Sequence, residues 1–107
     1  MNRPISVAIP HQLGAAEAKR RIEDGFARLA EQIAGPGVAQ VTRHWDGGRM
    51  TFSVGALGQN ITGQLLVLAD QVQIEVLLPG LLGTLAQAIR GRLERQGRLL
   101  LGKKGGA

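Results

Sequence analysis

Cysteine and tyrosine are absent from these 107 residues, and Phe26, Trp45 and Phe52 are the only aromatics. Without cysteine there is no disulfide framework, no thiolate nucleophile and no thiolate metal site. So few rings leave the core to Leu, Ile, Val and Ala. They also argue against nucleic-acid binding by base stacking, which needs exposed aromatics. No apolar run approaches the roughly 18 residues needed to span a bilayer. The opening Met1-Asn2-Arg3-Pro4-Ile5 lacks the apolar stretch of a signal peptide, so a cytoplasmic address is expected.

What the chain does have is a basic end. Residues 1–89 carry seven Lys/Arg and seven Asp/Glu. From residue 90 onward come Arg90, Arg92, Arg95, Arg98, Lys103 and Lys104 against Glu94 alone, which accounts for the whole net charge of +5. A neutral body with one cationic end points to contact with something anionic or interfacial there.

Hydrophobic periodicity sets the expected elements. Ile5, Val7 and Ile9 alternate and stop at Pro10, as in a strand with one buried face. Ala18, Ile22, Phe26, Leu29 and Ile33 recur every three or four residues, which predicts a helix from about Ala15. Its other face pairs Glu17 with Arg21, Arg20 with Asp24 and Asp24 with Arg28, and reads as a solvated surface. Gly35-Pro36-Gly37 ends it. Four strand-like runs follow: Val38 to Trp45, then runs around Met50–Val54, Ile61–Val67 and Val72–Leu78. Asp46-Gly47-Gly48, Leu57-Gly58 and Ala69-Asp70-Gln71 separate them, so they form an antiparallel meander.

A last helix is expected from about Leu81 to Gln96. Leu82, Leu85, Ala86, Ile89, Leu93 and, if the helix continues, Leu100 lie on one face, with Arg90, Arg92, Arg95 and Arg98 on the rest. Gly97 is a candidate terminus, because glycine costs a helix about 1 kcal/mol relative to alanine. The expected fold is therefore an α+β two-layer sandwich in the order β-α-β-β-β-β-α, an antiparallel meander with two helices on one face. The first strand should lie at an edge or beside the last. Residues 1–97 form the single domain, and residues 98–107 a flexible Leu/Lys/Gly tail. The opposite sheet face should carry Thr42, His44, Thr51, Ser53, Asn60, Thr62, Gln64, Gln73 and Glu75.

Catalytic and metal chemistry finds little purchase. His44 and Asp46 would share a strand face about 7 Å apart, a polar hairpin end rather than an acid–base pair. His11 fits a loop or capping role. Ser6 and Ser53 lack a nucleophile elbow. No His/Asp/Glu cluster has metal-ligand spacing, and no glycine-rich segment has a phosphate-loop context. The expectation is a non-enzyme with no catalytic, cofactor or metal residues.

Several segments together resemble a known family. Ile5-Ser6-Val7-Ala8-Ile9-Pro10-His11-Gln12-Leu13-Gly14 with Glu17-Ala18-Lys19-Arg20-Arg21-Ile22 is similar to the opening of the small polyhydroxyalkanoic acid system proteins of the granule region. Trp45-Asp46-Gly47-Gly48-Arg49-Met50, Gly58-Gln59-Asn60-Ile61-Thr62-Gly63 and Val72–Pro79 resemble its middle and last strand. The resemblance spans about residues 3–101. It implies a bacterial cytoplasmic protein of storage-polyester metabolism, and it supplies no reaction and no catalytic residues.

Two functions from different classes follow as expectations. One is a non-enzymatic accessory protein at the polyhydroxyalkanoate granule, touching the surface or a bound protein there through Arg90, Arg92, Arg95, Arg98, Leu99, Leu100, Leu101, Lys103 and Lys104. The other is a carrier of acyl or hydroxyacyl ligands, enclosed between the sheet and a helix. Nucleic acid is disfavoured as a partner, while an open sheet edge or a leucine patch would let two copies pair.

Overall fold

The computed structural model describes residues 3–34, 38–56 and 58–102. In chain order it contains β1 (Arg3–Pro10), α1 (Ala15–Ala34), β2 (Val38–Asp46), β3 (Arg49–Ala56), β4 (Gln59–Val67) and β5 (Gln71–Leu78). A 3-10 turn (Gly80–Leu85) then leads into α2 (Ala86–Leu101). The five strands form one antiparallel sheet in the order β1-β5-β4-β3-β2. This is the expected α+β sandwich, with β1 both at an edge and beside the last strand. Helix α1 carries the chain from one edge to the other. Its twenty residues reach roughly 30 Å, ample for a sheet only about 19 Å across.

Alternation along each strand separates the two faces. Inward point Ile5, Val7 and Ile9 of β1, Met50, Phe52 and Val54 of β3, Ile61, Leu65 and Val67 of β4, and Val72, Ile74, Val76 and Leu78 of β5. Against them pack Ala18, Ile22, Phe26, Leu29, Ala30 and Ile33 of α1, with Ile89, Leu93 and Leu101 of α2. Phe26 and Phe52 meet edge to face with centroids 5.3 Å apart. Phe52 has room because Gly63 lies beneath it; a Cβ at Gly63 would meet both the Phe52 ring and the Glu75 carbonyl.

The β2 margin is closed by charge rather than by aliphatics. Trp45 donates its indole N–H to Glu23 Oε2 at 3.0 Å, and Arg43 Nε stands 2.6 Å from Glu23 Oε1. Lys19 lies over the Trp45 ring at 4.7 Å and donates to the Gly47 carbonyl at 3.1 Å. Through these side chains α1 holds the two-residue β2–β3 turn, where Gly47 takes φ +62°.

Helix α2 corrects the sequence reading in three ways. Regular helix begins at Ala86, because the 3-10 turn occupies Gly80–Leu85. It does not stop near Gly97 but runs to Leu101, so Arg98–Leu101 are helix and not tail. Gly97 is buried inside it because the helix lies directly on β1, where any Cβ would collide with the Ile9 side chain. One turn on, Leu100 sits over Gly25 of α1, and Arg21 Nη1 donates to the Leu100 carbonyl at 3.2 Å. That guanidinium satisfies a C-terminal carbonyl that the helix itself leaves unpaired. Seating on Gly97 also centres the buried stripe nearer Leu101. Leu85, expected on the apolar face, is left 49 % exposed, and the Leu82 side chain lies outside the described residues. So do the Gly35-Pro36-Gly37 helix stop and the Lys103–Ala107 segment.

Two stability predictions follow from these contacts. Gly91→Ala has space for a methyl and should stabilise by about 0.5–1 kcal/mol through helix propensity. Gly97→Ala gains the same propensity, but overpacking against fully buried Ile9 costs about 1–3 kcal/mol and should reverse the sign. Paired denaturant titrations check this; stabilisation by both substitutions would contradict the seating of α2 on β1. The second concerns Glu17. Side-chain hydrogen bonds from Arg20 and then Arg21 lower its carboxyl from 4.5 to about 2. A depressed carboxylate stabilises above its unfolded value and loses that contribution as pH falls from about 4.5 to about 2. Thermal melts of wild type and Glu17→Gln should therefore differ at pH 7 and converge near pH 2. The gap should be small and shrink in salt, because the pairs face solvent.

Candidate functional site

The nine residues expected to form one basic contact are divided by the structure. Leu101 is 1 % exposed in the core and Leu100 packs against Gly25, so both are corrected from surface contacts to anchors of α2. Leu99 is 75 % exposed. Arg90, Arg92, Arg95 and Arg98 are all at least partly exposed, and Lys103 and Lys104 lie outside the described residues. None of the four arginines forms an ion pair with another described residue.

The arginines do not share one direction. At about 100° per residue, Arg90 and Arg92 point roughly 160° apart. Leu85, Ala88, Arg92, Arg95 and Leu99 fall at spacings of three and four and form a stripe down the outer side of α2, with Arg98 beside it. An exposed leucine closes each end, roughly 20 Å apart along the helix. The buried residues Ile89, Leu93, Gly97 and Leu101 lie on the opposite side, so the fold holds this stripe outward.

Arg90 instead sits at the border of the buried face, next to β1. There it joins Ser6 and Ala8 of β1, Gln73 and Glu75 of β5, Gln64 and Leu66 of β4, and Arg49 of β3 around a groove of about 440 Å³. The strand register sets the floor: Ser6, Glu75 and Gln64 follow one another across three strands, and Ala8, Gln73 and Leu66 form the adjacent row. Gln64 Nε2 lies 3.4 Å from Glu75 Oε1. Arg49, at the end of the second row, faces Leu66. Grouping Arg90 with the other arginines missed this groove; the helical wheel alone separates it, but only strand register brings Ser6 and Arg49 to the same face.

The space under the helices is occupied by Phe26, Ile22, Leu29, Leu65, Leu93 and their neighbours. The groove of about 440 Å³ lies on the opposite face of the sheet from this packed layer.

The two histidines are far apart in role. His11 is buried: its backbone N–H donates to the Asp70 carbonyl at 2.9 Å, and Nε2 lies 3.1 Å from the Leu68 carbonyl. The Leu13 amide donates to Nδ1 at 3.2 Å, which assigns Nε2 as the ring's donor. The imidazole thus ties the β1–α1 connector to the β4–β5 turn. His44 is exposed on β2 opposite Thr51. Among the described residues no group of three His, Asp or Glu side chains is placed to hold a metal, and no helix is long and apolar enough to cross a membrane.

Among solved structures the chain is similar to TTHA0849 from Thermus thermophilus, at 11 % identity and a TM-score of 0.41 over 92 % of this chain and 91 % of that one. It is similar also to the ZhuI aromatase/cyclase from Streptomyces sp. R1128, at 9 % identity and a TM-score of 0.42 over 94 % and 88 %. No curated protein matches it in sequence. The family model described as "putative polyhydroxyalkanoic acid system protein" matches residues 5–101, nearly every described residue from β1 to the end of α2. The chain belongs to that polyhydroxyalkanoic acid system family.

Proposed function

We propose that this protein is a non-enzymatic, cytoplasmic accessory protein of polyhydroxyalkanoate storage metabolism that docks on the granule surface through the outer stripe of α2. The observation that carries the reading is the stripe itself: Arg92, Arg95 and Arg98 without ionic partners among the described residues, bracketed by exposed Leu85 and Leu99. Surface ion pairs within a protein contribute only about 0–1 kcal/mol, so free arginines cost the fold little and remain available to an anionic surface. The leucines suit the apolar component of such a surface, as on interfacial helices. Family membership supports storage-polyester metabolism as the setting.

Point variants test this better than truncation, since removing Leu100 and Leu101 would unseat α2 from the core. Wild type should co-sediment with purified granules, less so at high salt. Arg92→Glu with Arg95→Glu should abolish binding while leaving the melting temperature within a few degrees, and Leu99→Ser should weaken it. A wild-type protein that stays in the supernatant, together with a diffuse fluorescent fusion in granule-filled cells, would refute the reading.

A further inference from the structure

Resting on that family setting but using a different surface, we infer that the groove on the outer sheet face is a binding site for short linear hydroxyacid oligomers, recognised by their free carboxylate. The groove runs across β3, β4, β5 and β1, about 14 Å at ordinary strand spacing. Its volume of about 440 Å³ falls in the range of small-molecule sites, roughly 300–1,000 Å³. A cation stands at each end, Arg49 on β3 and Arg90 beside β1, and neither has an ion pair among the described residues. Between them the floor mixes the apolar Leu66 and Ala8 with the amides of Gln64 and Gln73.

The chemistry of an oligoester matches that lining group by group. Its terminal carboxylate is an anion for a guanidinium fork, which binds carboxylates with two parallel hydrogen bonds. Its ester carbonyls accept but never donate, and Gln64 and Gln73 supply donors along the floor. Its short alkyl branches suit Leu66 and Ala8. The terminal hydroxyl needs an acceptor, which Glu75 and Ser6 provide on the adjacent row. Glu75 also selects: its charge repels a second carboxylate, so the site takes a monoanion with a hydroxyl end rather than a diacid. Placement on a packed sheet fixes these groups without a lid.

The test uses the full chain and the linear trimer of 3-hydroxybutyrate as probe, followed by amide chemical shifts. The free acid should shift Ser6, Ala8, Gln64 and Gln73 saturably. Its methyl ester should bind about tenfold more weakly, as should the acid to the Arg49→Gln, Arg90→Gln double variant, which removes the guanidinium fork from both ends of the groove; the loss is that expected for one charge-assisted hydrogen bond. Arg28→Gln, on the exposed face of α1 and outside the groove, should bind as wild type. No saturable shift, equal binding of acid and ester, or an Arg28→Gln effect as large as that of the double variant would overturn the inference.

Granule sedimentation of the Arg49→Gln, Arg90→Gln double variant separates this from the α2 reading. Granule binding by a wild type that ignores the trimer would sink the groove and leave the stripe standing. Trimer binding without granule binding by the wild type would do the reverse. With the trimer bound, loss of sedimentation in the double variant shows that the groove takes polymer chain ends at the surface, and unchanged sedimentation that it takes free oligomers. Both results support it.

Discussion

Everything on the outside of this protein depends on how closely α2 is seated. Gly97 lets the helix rest on Ile9 of β1, and Gly25 lets Leu100 press into α1. Two positions without side chains, one on each helix, therefore fix the rotation of α2 about its own axis. That rotation decides that Leu93 and Leu101 are buried, that Leu99 is exposed, and that Arg90 and Arg92 face different surroundings. Helix propensity alone would favour alanine at both glycines by about 1 kcal/mol, so close approach outweighs propensity here.

The electrostatics divide along the same line. On α1 and the β2 margin charges are used up locally: Glu17 by Arg20 and Arg21, Glu23 by Arg43 and the Trp45 indole. These contacts are geometric locks more than large energy terms, because most are half in water. Glu23 lies beside an ion-pair partner and an indole donor whose ring also carries Lys19, so it organises the edge that has no strand beyond it. On α2 the arginines have no such partners among the described residues. A body of balanced charge with Arg92, Arg95 and Arg98 on the outer side of one helix can approach an anionic surface in a defined orientation.

The sheet makes two uses of one alternation. Its inner face is largely aliphatic, with Phe52 over Gly63 against Phe26. Its outer face presents hydroxyl and amide groups with few charges, flanked by Arg49 and Arg90. A helical layer on one side only leaves that polar face open, which is why the molecule offers a groove there and a filled core beneath the helices. The edges are handled differently: β1 carries Pro4 and Pro10 and runs along α2, while β2 has a register shift between Val38 and Gln40. Both features discourage indiscriminate strand pairing.

Much was determined by the residues in order. Period-two and period-3.6 patterns, with glycine turns between them, specify element order and which face of each strand is buried, because side-chain direction along a strand or helix is local geometry. Family membership, too, was legible in short motifs spread over the whole chain. The end of α2 was not, since Gly97 reads as a stop until Ile9 is known to lie against it. The triple leucine Leu99–Leu101 likewise splits into one exposed and two packed residues only when α1 and β1 are in place. The groove joins Ser6, Arg49, Gln64, Glu75 and Arg90 across 84 positions of chain; the short turns pair β3, β4 and β5, but Ser6 and Arg90 join them only through contacts between distant elements. Local chemistry fixed the elements; the contacts between distant elements decided which charges face outward together.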